Sequence, residues 1–486
     1  MNARPSLVLL FGFCGNLFTE KLLWGLFVDF RQRMHGIPRN LKVLGIDLQE
    51  IAAEQLPNFI DQRADAGKVN RSLTGWNEFV KTFTYRNIGG EHRRPDSAKF
   101  GRLCQEVRRW MAEHQDGQVQ IYFALPHTAM PPTLKLFADA GMDFRSYADQ
   151  TSLLLEKPSA IDLETLQTTK RLSTRIGMKL DRVRQIEHWR FKPGFNQMIH
   201  VLYGNTTLNE AFHRPFVKRI ILRVSEMIGS NGREYHGVGV DSFLNHMMFF
   251  FGLALGNPLD EGPERVNNMI THRLARHVFD PNPEQTEEEN LRLEQELYQR
   301  INARGCYGVC HEDRGGSDQA IPTAMIVQLV AQSNRLFGTP VVLIHQKNGP
   351  TKTTQLEVDF QKGDRWEYVA DGYSCFGTRE WRFSQYLQGL RPEGHGSLPF
   401  VLSGGESIPP EHQDGYPALV TAFLDGKLDL FMPLEFQEIG IRIVMPWLQQ
   451  LDATSRDERV WFHRGSDAFR GFDWSKGQQL WLPRAA

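Results

Sequence analysis

Residues 185–192 read Gln-Ile-Glu-His-Trp-Arg-Phe-Lys, and further along comes Asp241-Ser-Phe-Leu-Asn-His246. Side chains of these types can oxidise a phosphorylated alcohol. His246 is a candidate base, because imidazole has the ordinary pKa nearest neutrality and can accept a hydroxyl proton at working pH. A carboxylate behind it, Glu187, would fix the tautomer and stabilise the imidazolium as it forms. His188 and Lys192 can hold a phosphate dianion. Spacing alone is a weak argument in a chain with 16 histidines, since a lone His near a carboxylate is more often a satisfied structural side chain.

Those groups need a scaffold, and the N-terminus supplies one. Leu7-Val-Leu-Leu-Phe-Gly-Phe-Cys-Gly-Asn-Leu17 followed by Thr19–Phe27 reads as strand, tight turn and helix. Gly12 and Gly15 let the backbone turn sharply and approach a ligand, and the helix start at Asn16 and Leu17 presents free amides to a pyrophosphate. The pattern is Gly-x-x-Gly, short of the three-glycine fingerprint. A second strand, Lys42–Asp47, ends in a carboxylate, which in dinucleotide-binding folds accepts the adenosine ribose hydroxyls and repels a 2′-phosphate. The stretch from Gly15 to Asp47 exceeds the usual ~20 residues, so the intervening helix is extended. Strands at 119–125 and 152–156 run into Pro126 and Lys157-Pro158, with helical stretches at 100–114 and 131–140 between. That alternation predicts a doubly wound parallel sheet with Pro126, Glu156 and Lys157 at the ligand-facing strand ends.

Taken together, the chain resembles the glucose-6-phosphate dehydrogenase family. Gly12-Phe-Cys-Gly-Asn-Leu17 is similar to the family's Gly-Ala-Ser-Gly-Asp-Leu turn, and Ala124-Leu-Pro126 to its Ala-Leu-Pro-Pro. Glu156-Lys-Pro158 matches Glu-Lys-Pro, Glu187-His-Trp-Arg-Phe-Lys192 resembles Asp-His-Tyr-Leu-Gly-Lys, and Asn245-His246 fits Gln-Asn-His. Phe337-Gly-Thr-Pro340 through Lys347 and Lys352 resembles the Trp-x-Gly-Val-Pro strand with its paired lysines. Asp414-Gly-Tyr-Pro-Ala-Leu419 with Asp425-Gly426 resembles Asp-Ala-Tyr-Glu-x-Leu. The blocks stand in the family's order and span almost the whole chain.

The resemblance implies roles. His246 would take the proton of the sugar's C1 hydroxyl while hydride leaves C1 for the nicotinamide, with Glu187 orienting it in place of the family's Asp. His188, Trp189 and Lys192 would surround the 6-phosphate, and Lys157 would reach both sugar and nicotinamide. Glu226 and Lys347 would bind the sugar, and Lys352 is the match to the second lysine. Several departures stand out. Glu187 is one methylene longer than Asp, Trp189 lacks the tyrosine hydroxyl, and Phe191 replaces Gly and is expected to crowd the phosphate pocket. The 232–240 segment is shorter than the family's and shows no counterpart to a sugar-binding Asp, which bears on which sugar is accepted. Where the family usually carries an Arg for the 2′-phosphate, this chain has Asp47-Leu48, so NAD is expected in preference to NADP. A non-catalytic sugar-phosphate-binding paralogue with a regulatory or scaffold role is the alternative.

Composition sets the outer bounds. A chain of 486 residues, 41% hydrophobic, can bury two cores. The expected division is a dinucleotide-binding domain at 1–180 and a substrate-binding and dimerisation domain at 181–486. The second reads as a mainly antiparallel sheet with helices, from the alternation at 218–226 and 354–360 and from the family. The family's architecture further implies a homodimer or homotetramer. Fifty-six basic and 57 acidic side chains leave a net charge of −1, which gives no field for nucleic acid. No apolar run reaches the ~20 residues of a membrane span, and 247–255 reads as a buried helix. Five cysteines in a chain of this size fit a reducing, cytoplasmic compartment. No metal is expected, because Cys306-Tyr-Gly-Val-Cys310-His311 lacks a standard zinc spacing. Glu284–Tyr298 reads as a charged, solvated helix, and 404–410 as a surface loop.

Overall fold

In a parallel sheet covered on both faces, central strands have no polar side to show, and Leu7-Val-Leu-Leu-Phe11 is such a run, buried throughout. The computed structural model describes residues 5–34, 40–192, 211–227, 237–256, 266–278, 284–286, 288–290, 292–293, 306–311, 322–332, 335–347, 349–361, 365–371, 379–384, 398–400, 415–452 and 460–462. They divide between two units, Met1–Phe191 with Ile408–Gln437, and Lys192–Ser407 with Glu438–Ala486.

The first unit is built on β1 (Pro5–Phe11), β2 (Asn40–Asp47), β3 (Phe83–Asn87), β4 (Gln118–Phe123), β5 (Thr151–Leu155) and β6 (Val183–Gln185). Their order is β3-β2-β1-β4-β5-β6, all parallel, with Met432–Pro433 closing the β6 edge in antiparallel fashion. Alternation along β1 sends Val8 and Leu10 into one core with Phe13, Phe18, Phe27, Trp76 and Phe79. Phe11 faces the other side, in edge-to-face contact with Phe123 at 5.0 Å and Phe137 at 5.7 Å. The long connection from turn to β2 is helical as expected, with a π-helical opening at Phe18–Leu22 running into α1 (Leu23–Met34).

The first unit does not stop near residue 180. β6 takes up the otherwise open edge of β5, Leu153 opposite Val183, and residues 408–437 return to the same unit. The Gly415–Leu424 helix lies on α1, where a Cβ at Gly25 would come within 2.8 Å of Val420 Cγ2. Arg33 bridges Asp29 at 3.2 Å and Asp425 at 2.5 Å, and Gln120 Nε2 donates to the Phe423 carbonyl at 2.5 Å. The reason is apolar area. Tyr416, Leu419, Val420, Phe423 and Phe431 are buried in the same core as Val8 and Leu10.

The second unit carries β7 (Val217–Ser225), β8 (Cys306–His311), β9 (Pro322–Val330), β10 (Pro340–Gln346), β11 (Thr353–Phe360), β12 (Arg365–Asp371), β13 (Arg379–Ser384) and β14 (Leu398–Phe400). The order is β14-β13-β12-β11-β7-β10-β9-β8, with Val460–Phe462 at the β8 edge. Pairing is antiparallel except between β7 and β10 and at that edge. The Cys306–His311 run is a strand, and Met248–Leu255 is a helix with every residue buried. Of the charged stretch, Thr286 and Glu289 exchange capping hydrogen bonds at 2.9 and 3.2 Å, while 287, 291 and 294–298, like 404–410 and 232–236, lie outside the described residues. Among the described residues no helix is long and apolar enough to cross a membrane.

If the return segment is part of the first core, Phe423→Ala should destabilise that unit by about 3–5 kcal/mol. Hydrogen exchange of the β1 and β4 amides reads this out, and unchanged protection there would contradict the assignment.

Candidate active site

The glycine turn is where β1, β2 and β4 end together. Gly12 has φ +80°, and a Cβ there would lie 2.3 Å from the Ala124 carbonyl oxygen, so only glycine lets the β4 exit come this close. Its amide donates to Ile46 O at 3.1 Å, and Gly15 N closes the turn on Gly12 O at 3.0 Å. Phe13 anchors the turn from below. It is fully buried, 4.3 Å from the Phe18 ring, in a space that exists because position 45 has no Cβ. Gly15 and Asn16 are exposed at the start of the helix and Leu17 is half-buried, which leaves an uncovered cradle of the kind that takes a pyrophosphate.

Asp47 ends β2 beside this turn. Its carboxylate accepts the Cys14 amide at 2.8 Å and the Leu48 amide at 2.7 Å, so it is held rigidly. Leu48 and Gln49 are fixed in turn by Asn87 Nδ2, which donates to their carbonyls at 3.0 and 2.8 Å. Burial, reinforced by the Asp47 charge, pushes the Cys14 thiol up to about 12, so it is no thiolate at neutral pH. Arg63, which the sequence analysis does not single out, donates to Thr19 Oγ1 at 3.3 Å and lies 4.9 Å over the Phe59 ring.

At the far ends of β4 and β5 stand Pro126, exposed, and Lys157, half-buried. The chain around Lys157 is pinned on both sides. Glu156 is buried and accepts the Tyr122 hydroxyl at 2.7 Å, while Ser159 donates to the fully buried Gln185 side chain. Burial raises the Glu156 carboxyl above the ordinary range, a shift that Tyr122, Lys157 and Tyr416 partly offset. Past β6, Glu187 is buried and accepts the Trp189 amide at 3.1 Å, and His188–Phe191 forms a 3-10 turn.

Phe191 corrects an expectation. It does not crowd a phosphate pocket: its ring is 5.1 Å from Phe431 in the first unit's core and 7% exposed. The signal was available in Phe423 and Phe431, two aromatic residues in the returning segment that have to be covered by something. Arg190 is buried too, in the field of Asp429. Trp189 is 3% exposed.

In the second unit, sheet register gathers three of the expected residues. β7 and β10 are parallel with Ser225 opposite Gln346, so Glu226 and Lys347 leave the sheet side by side, and Lys347 Nζ donates to the Glu226 carboxylate. Thr353 is opposite Ser225 across β11, which brings Lys352 to the same end. Burial pushes the Glu226 carboxyl up, but Lys347 and the buried His345, 3.8 Å away, more than reverse this and hold it well below the usual range. His246 ends a second π-helical stretch, Gly239–Met247, and is 3% exposed. Lys192 is half-buried.

Residues 9–189 match the family model described as the glucose-6-phosphate dehydrogenase NAD-binding domain. Glucose-6-phosphate 1-dehydrogenase of Caenorhabditis elegans is 23% identical over 54% of this chain and 50% of its own length. Glucose-6-phosphate 1-dehydrogenase 2 of Mycobacterium bovis is 20% identical over 99% of this chain and 93% of its own. A glucose-6-phosphate dehydrogenase solved in complex with its substrate glucose-6-phosphate has the same fold, with a TM-score of 0.75 at 16% identity over 98% of this chain and 99% of that one.

Two outcomes are expected of the geometry. Gly12→Ala combines an unfavourable φ with a clash against Ala124, and should cost about 1–3 kcal/mol of stability and abolish dinucleotide binding in a fluorescence titration. Lys347→Met leaves the partly buried Glu226 without its main cation. A lowered carboxyl pKa contributes stability above the unfolded-state value and loses it as pH falls through the folded-state value. The variant should therefore begin to unfold at higher pH than wild type in an acid titration followed by circular dichroism; coincident curves would show that the pair carries no net stability.

Proposed function

We propose that the chain is a divergent member of the glucose-6-phosphate dehydrogenase family that oxidises a hexose 6-phosphate at C1, passing hydride to NAD in preference to NADP and giving the 6-phospho-lactone. The observation that carries the reading is the strand–turn–helix at Gly12–Gly15 with the Asp47 carboxylate clamped beside it. A carboxylate there accepts ribose hydroxyls and repels a 2′-phosphate, and the position that follows is Leu48, with no guanidinium.

The remaining roles follow from the sequence match. His246 removes the C1 hydroxyl proton as hydride departs, and Glu187 stabilises the imidazolium. Lys157 reaches the sugar and the nicotinamide. His188, Trp189 and Lys192 hold the 6-phosphate, Glu226 and Lys347 bind sugar hydroxyls, and Lys352 supplies a further cation. A dinucleotide held at the Gly12–Gly15 turn would supply the hydride acceptor for this two-electron oxidation of the alcohol carbon, and His246 would keep the proton. The paired Glu226 and Lys347 support a sugar site, since an ionised carboxylate accepts hydroxyl hydrogens and an ammonium donates to hydroxyl oxygens. The alternative, a non-catalytic paralogue, loses one of its supports with Phe191, whose side chain is absorbed by the core. A homodimer or homotetramer remains the expected assembly.

Absorbance at 340 nm with glucose 6-phosphate and either NAD or NADP tests the reading. Reduction of NAD alone is expected; reduction of NADP alone would overturn the role of Asp47, and silence with both would return the non-catalytic reading to first place. His246→Asn should abolish turnover while glucose 6-phosphate still binds, and a wild-type kcat in that variant would remove His246 from the mechanism.

A further inference from the structure

Between Lys157 and His188, both expected to face substrate, the first unit places a buried carboxylate. Glu156 ends β5, is buried, and gathers donors from three parts of the chain. Tyr122 on β4 donates its hydroxyl at 2.7 Å, Tyr416 on the returning helix donates its own, and the Lys157 amide is 3.3 Å away. The Tyr416 ring lies face to face with the His188 imidazole, with centroids 5.8 Å apart and planes inclined by 27°. One hydroxyl bond therefore connects a buried carboxylate to the ring that carries His188.

We propose that Glu156 is a positioning residue, which fixes the plane of the Tyr416 ring and through it the orientation of the His188 imidazole toward the substrate phosphate. The inference rests on the reading of His188 as a phosphate ligand. Its physical basis is that a stacked pair by itself sets the distance between two rings but leaves them free to slide, whereas a hydroxyl tied to a buried acceptor removes that freedom. The Tyr122 bond holds the carboxylate from the side of the sheet, so the acceptor itself cannot follow the ring. The raised Glu156 pKa is consistent with burial that these donors and the Lys157 charge only partly relieve. The chain of contact runs from β4 to the end of β5, to the returning helix, and out to the 3-10 turn past β6.

Tyr416→Phe keeps the stacked ring and deletes the tether. In ligand-free protein the His188 Cε1–H resonance should shift in Tyr416→Phe and in Glu156→Gln, while that of the buried His127 stays in place. An unmoved His188 line in both variants overturns the inference, whether or not any sugar phosphate binds. Calorimetric titration of glucose 6-phosphate then asks about function. Tyr416→Phe should weaken binding about fivefold, the size expected for one hydrogen bond. The same change in a His188→Ala background should add almost nothing, because the tether acts through the ring already removed. An equal loss in both backgrounds overturns the inference by showing that Tyr416 acts independently of His188. Unaltered binding in His188→Ala overturns the phosphate role of His188 and this inference with it, and unfolding midpoints confirm that each variant is folded.

Discussion

The close approach of β4 to the end of β1 governs the nucleotide end of this molecule. Ala124 N donates to Phe11 O at 3.0 Å, and its carbonyl then occupies the space where any side chain at position 12 would sit. Gly12 must turn with a positive φ to clear it, and that turn throws Phe13 into the core and Cys14 against Asp47. Position 45 on β2 has to be glycine as well, because the Phe13 ring would lie 2.6 Å from a Cβ there. Two glycines, one in the turn and one on β2, thus answer one packing problem. The Phe13 ring joins them, buried against Phe18 and over Gly45. Its burial contributes on the order of 2–3 kcal/mol, and the rigidity this gives is passed to the amides at Gly15 and Asn16.

The second unit reaches the same end by other means. Within an otherwise antiparallel sheet, β7 and β10 run in the same direction, and residues that follow parallel strands emerge at one edge. Glu226 and Lys347 are neighbours for that reason alone, and the Glu226 amide and carbonyl are tied to Gln346 and Gly349 at 2.8 Å each. A partly buried carboxylate would be costly unpaired. Lys347 offsets the desolvation, and the His345 imidazole lies next to it. Such a pair is pre-ordered, so a polar group entering it would not have to freeze two long side chains.

What the sequence discloses and what it hides divides along contact distance. β1, β2, β4 and β5 are legible as apolar runs ending in Gly, Asp, Pro or Lys-Pro, because the signal lies within each run. β3 escapes. Phe83-Thr-Tyr-Arg-Asn87 is short and half polar, and it becomes a strand through pairing with β2. β6 is three residues long and owes its existence to the open edge of β5. The return of 408–437 to the first unit is invisible to local pattern, since nothing in Gly415–Leu424 names the helix it packs on. The same limit applies to the site. Gly12, Gly15, Asp47, Glu226 and Lys347 are candidates that motif alone singles out, whereas Tyr122 and Tyr416 gain their relation to Glu156 only from the fold.

The altered signature at 187–191 shows how a change that reads as a lesion in sequence becomes a compensated one in three dimensions. Phe191 and Arg190 are taken up by a core and a carboxylate field supplied by residues 423–431. The bulk gained at one position has a matching surface 240 residues later, so no pocket needs to give way. Glu187 is the subtler case. A longer carboxylate has one more rotatable bond, and freedom in the group that orients a base costs directional precision. Here one oxygen accepts the amide of Trp189, two residues on, and the turn is closed again from Arg190 N to Glu187 O at 3.0 Å. The extra methylene is spent on reaching the chain's own backbone. The carboxylate is fixed by the 3-10 turn that also carries His188, so the geometry of both groups is set by a single local structure.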